Sequence, residues 1–164
     1  MNRRQSGYSL VEILVVVGII GIISLVSVPN FINMQRAGKL KTSLRNFVSD
    51  IRTMRQRAVT RHEQTKITFN TGTAATARSY TLWEKPVSTW IQVGGDKVLE
   101  EACFFQSQTN LGAGATGDII FKNDGAPQFT CGVCEGTVVL KTDWQIPTPQ
   151  YTVRVKYSGS VQTN

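Results

Sequence analysis

The rhythm of hydrophobic positions changes twice along this chain. From Tyr8 to Val28 apolar residues run almost without interruption, and the run holds one charge, Glu12. From about Phe31 to His62 they recur at helical spacing. After Lys66 they fall into short alternating runs separated by Gly, Asn and Asp. The first segment predicts a helix of about 30 Å, long enough to cross a bilayer. Pro29 follows it, and the proline ring would clash with the carbonyl of Leu25, so a kink is expected there, with Gly18 and Gly21 softening the turns before it.

The second segment carries several stripes, each on its own helical face. Leu40, Leu44, Phe47, Ile51, Met54 and Ala58 form an apolar face expected to lie on a sheet. Lys41, Arg45, Arg52 and Arg55 run along one edge of it, and Arg36, Lys39, Arg57 and Arg61 flank the other. Thr42, Asn46, Ser49, Thr53, Gln56 and Thr60 make an uncharged polar face on the far side. Copies could bundle through such a face without like-charge repulsion.

The third segment predicts strands at 66–70, 79–84, 89–93, 97–106, 118–122, 136–141 and 151–157. The expected fold is therefore α+β. A long N-terminal helix, kinked near Pro29, packs on an antiparallel head of two small sheets. Residues 29–62 form its amphipathic half and residues 63–164 the β-rich head.

The length of 164 residues fits one modest core, and the net charge of +7 is unevenly placed. Between Arg36 and Lys66 nine Lys/Arg face only Asp50 and Glu63, whereas from Ile67 onward seven bases meet eight acids. Three cysteines, Cys103, Cys131 and Cys134, are too few for a four-ligand zinc site. Outside the cytoplasm they read as one disulfide and one thiol: Cys131 with Cys134 across a tight turn, or Cys103 with either. No nucleophile signature or phosphate loop is present, and His62 is the sole histidine. The chain reads as no enzyme, with no cofactor and no metal. Trp83, Trp90 and Trp144 read as core or strand-pair residues.

Glu12 carries the functional signal. A carboxylate in the apolar run costs about 2.5–3.5 kcal/mol at a membrane centre, less near an end, and needs a partner. No cation shares the run. A free amine at Tyr8, released by a cut after Gly7 and carried by a neighbouring copy, would supply one. Gly7-Tyr8-Ser9-Leu10-Val11-Glu12, behind a leader holding Arg3 and Arg4, resembles the type IV prepilin signal. The resemblance implies a leader of residues 1–7 removed between Gly7 and Tyr8 by a prepilin peptidase. It further implies N-methylation of Tyr8, a transmembrane and assembly helix over 8–28, and Glu12 as the assembly salt bridge. It places the head outside the cytoplasm, although the flanking charges alone would favour the reverse.

The rest of the chain resembles, more loosely, minor pilins of the FimT/FimU kind and pseudopilin H (GspH) of type II secretion. The residues carrying this are Val28-Pro29-Asn30-Phe31, the stretch from Ile51 to Thr68, Asp118-Ile119-Ile120-Phe121 with Gly125, and Tyr157-Ser158-Gly159. The implied role is a low-abundance subunit that primes or caps a filament, in the bacterial inner membrane and then in a pilus or pseudopilus. Its partners would be the major pilin and other minor pilins. A pilus-tip receptor for DNA is the alternative of another class, with Lys41, Arg45, Arg52 and Arg55 as contacts to DNA or a partner. DNA-binding members of the FimT-like group resemble one another in a Gly-Arg-x-Arg tail, where this chain has Gly159-Ser160-Val161-Gln162.

Overall fold

The computed structural model describes residues 9–73, 75–101, 103–112, 115–129, 135–143 and 150–164, without the side chains of Val26, Val28, Pro29, Asn30, Asn33 and Arg36. The helix α1 runs Leu10–Arg61. The Ser9 carbonyl accepts from Glu12 N–H (3.0 Å) and Ile13 N–H (3.3 Å) at its start. His62, in the left-handed region at φ 55°, ends it. Ten strands follow: β1 (Gln64–Asn70), β2 (Ser79–Lys85), β3 (Ile91–Gln92), β4 (Lys97–Val98), β5 (Cys103–Thr109), β6 (Thr116–Phe121), β7 (Pro127–Gln128), β8 (Gly136–Thr142), β9 (Gln150–Val155) and β10 (Val161–Thr163). They form two antiparallel sheets, β3-β2-β1-β6-β7 with β4 also on β2, and β10-β9-β8-β5. The chain divides into a unit ending at Ala37 and a unit of Gly38–Asn164, so α1 from Gly38 onward belongs with the strands, while residues 29–37 of the expected amphipathic half do not.

Both sheets bury alternate residues against the predicted apolar stripe of α1. Leu40, Phe47, Ile51, Met54 and Ala58 are fully buried and Leu44 nearly so. Phe47 sits at the centre, its ring 5.9 Å from Phe69, 5.1 Å from Tyr80 and 4.9 Å from Phe105. Those partners come from β1, β2 and β5, so one helical side chain touches both sheets. Such tilted and edge-on contacts add about 0.5–1.5 kcal/mol each beyond the apolar area they bury.

Three patches that are distant in sequence meet at Arg55. Its Nε donates to the Gly125 carbonyl (3.2 Å) and its Nη2 to the Ser158 carbonyl (2.9 Å). The first carbonyl lies in the turn between β6 and β7, the second in the turn between β9 and β10. One guanidinium therefore ties both sheets to the helix. Gly125 (φ 78°) and Gly159 (φ 75°) occupy the left-handed region. A Cβ on Gly159 would also come within 2.5 Å of Arg55 Nε.

Two further side chains fix the helix to the first sheet. Glu84 on β2 is buried and receives Arg57 at 2.9 Å together with Arg61. Tyr80 Oη donates to Asp50 at 2.6 Å. Burial, then the hydrogen bond and charge of Asp50, push the Tyr80 phenol well above its ordinary value.

The strand expectations differ from the structure at one important point. The run expected at 97–106 is two strands in different sheets, because the Leu99 N–H turns back to the Arg78 carbonyl and the Glu100 N–H to Ser43 Oγ. The expected strand at 89–93 shrinks to Ile91–Gln92, and β7 and β10 were not foreseen.

Replacing Arg55 with Lys should lower stability by about 1–2 kcal/mol, because a point charge cannot reach both carbonyls as a fork does. Gly159→Ala should cost at least as much, through strain and the clash; urea unfolding of the full chain in detergent measures both. By the same assay, Arg57→Ala with Arg61→Ala should cost more (about 3 kcal/mol) than Glu84→Gln, since only the former strands a buried carboxylate. The raised Tyr80 pKa stabilises the fold below the unfolded phenol value of about 10, and that contribution is lost as pH climbs above it. Tyr80→Phe should flatten this alkaline loss.

Candidate assembly and docking surfaces

The N-terminal part of α1 has no cover. Every described side chain from Leu10 to Leu25 is exposed, Leu10 at 75% and Leu25 at 79%. Exposed apolar positions continue at Phe31, Ile32 and Met34, beyond the run read from the sequence. A helix that is apolar on all sides requires a non-aqueous neighbour. Glu12 lies in the first turn of α1, where a carboxylate faces the positive end of the helix dipole. It is exposed and makes no ion pair among the described residues.

Gly7 and Tyr8, the predicted cleavage and methylation positions, lie outside the described residues. Gly18, Gly21 and Pro29 all fall within the bounds of α1. Among the described residues no helix is long and apolar enough to cross a membrane. The apolar run begins at Tyr8, outside that set, and its described side chains are continuous only from Leu10 to Leu25. That stretch rises about 24 Å, short of a hydrocarbon core of about 30 Å.

On the second half of α1 the predicted polar face is fully exposed: Thr42, Asn46, Ser49, Thr53, Gln56 and Thr60. Two of its hydroxyls are already satisfied inside the helix. Thr53 donates to the Ser49 carbonyl and Thr60 to the Gln56 carbonyl, each at 2.9 Å. This back-bonding lowers the cost of covering the face with another protein.

The basic residues divide by what they touch. Lys39 pairs with Glu101 at 3.1 Å, Arg57 and Arg61 with Glu84, and Arg55 with two carbonyls. Arg55 therefore leaves the predicted contact set, its guanidinium being committed within the fold. Lys41, Arg45 and Arg52 remain exposed and make no ion pair among the described residues. They line one groove of about 480 Å³ together with Leu44, Val48, Ser49, Tyr151, Thr163 and Asn164.

Cys103 is fully buried on β5 and forms no disulfide among the described residues. Burial pushes its thiol up from the ordinary value, the opposite of what a reactive cysteine needs. Cys131 and Cys134 lie outside the described residues, as does Trp144. Trp83 and Trp90 are half-buried, Trp83 as a strand-pair residue on β2 opposite Lys66 and Gln92, and the Lys66 ammonium lies over both rings, 5.7 and 4.9 Å from their centroids. Among the described residues no group of His, Cys, Asp and Glu could hold a metal ion.

Sequence reasoning missed the last strand, because β10 is only three residues long. It also missed the inward turn of Arg55.

Comparison with known proteins bears on both halves of the chain. Residues 2–28 match the prokaryotic N-terminal methylation motif. No curated protein matches this chain. Among solved structures, the minor pseudopilin EpsH from the type 2 secretion system of Vibrio cholerae is similar at 14% identity. It covers 77% of this chain and 96% of its own, with a TM-score of 0.57. The type IV minor pilin FimU of Pseudomonas aeruginosa is similar at 8% identity, covering 80% of this chain and 92% of its own, with a TM-score of 0.58. This chain thus joins the N-terminal methylation motif of prokaryotic pilins to the α+β fold that EpsH and FimU share.

Proposed function

We propose that this protein is a minor type IV pilin, a low-abundance filament subunit that primes or caps assembly and catalyses nothing itself. It is inserted in the bacterial inner membrane through residues 8–28, with its head outside the cytoplasm. Prepilin peptidase cuts between Gly7 and Tyr8, and the new N-terminus at Tyr8 is methylated. The observation that carries this reading is the pairing of an uncovered apolar helix with one acid in its first turn, Glu12, which makes no ion pair among the described residues.

The physical logic is that of a deferred ion pair. Buried in lipid, Glu12 alone is costly, and a neighbouring subunit's freed amine removes that cost by meeting it. The pair forms only when the neighbour is cut and aligned, so cleavage and register are both read by one interaction. The uncharged face of the second helical half then lets helices approach beyond the membrane, where water would screen a charged interface poorly at short range.

The fold likeness to EpsH (TM-score 0.57) is close to that to FimU (0.58), so a place at the tip of a secretion pseudopilus is the second reading of the same architecture. Both readings need the same processing and the same Glu12 pairing.

Gly7→Val should block cleavage, leaving intact protein heavier by the seven leader residues, as whole-protein mass spectrometry would show. Glu12→Ala should leave that cut intact while the protein disappears from sheared filament fractions probed by immunoblot. Uncut wild-type protein in the native membrane would refute the processing step. Undiminished filament incorporation of Glu12→Ala would refute the pairing role.

A further inference from the structure

The groove holding Lys41, Arg45 and Arg52 has a second property besides its charge. One of its walls is the free edge of a sheet. Among the described residues strand β10 pairs only with β9 and has no neighbour on its other side. Asn164 and Thr152 exchange both backbone hydrogen bonds, at 3.0 and 2.9 Å. Antiparallel alternation then turns the N–H and C=O groups of Val161 and Thr163 away from β9, towards the open side. These residues pair with Val155 and Val153, which are fully buried, so their side chains share the face of the sheet that looks onto α1. The floor between strand and helix is apolar, formed by Leu44 and Val48.

Unpaired backbone groups, an apolar floor and three unneutralised cations converge in this groove. We propose that it takes an extended acidic segment of a partner chain, added as a further strand to β10. Backbone hydrogen bonds to Val161 and Thr163 would hold the strand, while its acidic side chains meet Lys41, Arg45 and Arg52. A nucleic-acid strand fits less well. Its bases need exposed aromatic rings to stack on, and the groove's one aromatic residue, Tyr151, packs against the core. An exposed sheet edge is otherwise an aggregation hazard, which an assembled partner would remove.

The proposal rests on the filament reading only for the identity of the chain that donates the segment. The groove belongs to the head, so an uncut or unassembled protein would still bind a peptide.

The test uses the full chain in detergent micelles and a fluorescent octapeptide alternating Glu and Val, followed by anisotropy. The matching Lys-Val peptide and an oligothymidylate serve as comparisons. The Glu-Val peptide should bind in a salt-sensitive way and the Lys-Val peptide should not. Arg45→Glu with Arg52→Glu should weaken binding about tenfold or more. Thr163→Pro should weaken it comparably, since it deletes an outward N–H without touching the β9 ladder. Val161→Pro replaces it if Thr163→Pro lowers the melting temperature. Equal binding of both peptides, no binding of the Glu-Val peptide, or unchanged affinity in the proline variant would overturn the proposal. Binding of oligothymidylate alone through the same arginines would overturn it in favour of nucleic acid.

Discussion

One stripe of α1 is the floor on which both sheets rest. Among the described residues the two sheets share no ladder, and each lays its buried residues on Leu40, Phe47, Ile51, Met54 and Ala58. Each large side chain in that stripe contributes about 1.5–3 kcal/mol by leaving water. A net hydrogen bond contributes about 1 kcal/mol. The stripe therefore decides the fold, while Arg55, Glu84 and Tyr80 decide how the sheets are seated on it. Phe47 shows the dependence most directly, since its ring touches aromatic partners in both sheets at once.

A helix this basic would resist packing if its charges were left alone. The structure meets that constraint by spending acids from other elements on one edge. Glu84 takes Arg57 and Arg61, and Glu101 takes Lys39. On the other edge it uses carbonyls for Arg55 and, among the described residues, no ion pair for Lys41, Arg45 and Arg52. The asymmetry follows from position. Glu84 is buried, and a buried carboxylate without its arginines would be strongly destabilising. The three free bases are exposed, cost little where they stand, and are the ones available to something else.

How far the sequence could be read depends on how local each signal is. The helical stripes were legible because a period repeated over five turns leaves little ambiguity, and every predicted apolar position from Leu40 to Ala58 is buried. The main strands at β1, β2, β6, β8 and β9 were legible to within two residues for the same reason. The switch of sheets between Val98 and Cys103 was not, because it is set by Leu99 and Glu100 bonding to Arg78 and Ser43, far away in sequence. Arg55 looked like one member of a basic row. Only the fold reveals that the turns at Gly125 and Ser158 arrive together to accept its hydrogen bonds. The same non-locality hid the groove, which needs α1 and the edge of β10 side by side.

The exposed surface of α1 changes character along its length, and the change has a physical reading. From Leu10 to Met34 the described exposed positions are largely apolar, a surface that water penalises and lipid does not. From Thr42 onward the far face is uncharged and polar, and Thr53 and Thr60 turn their hydroxyls back onto the helix. Such a face tolerates water while free, and its two back-bonded hydroxyls lose little if another protein displaces that water. A charged face would pay full desolvation on every contact, and an apolar one would aggregate before assembly. An uncharged face with two of its hydroxyls bonded back onto the helix lies between those extremes.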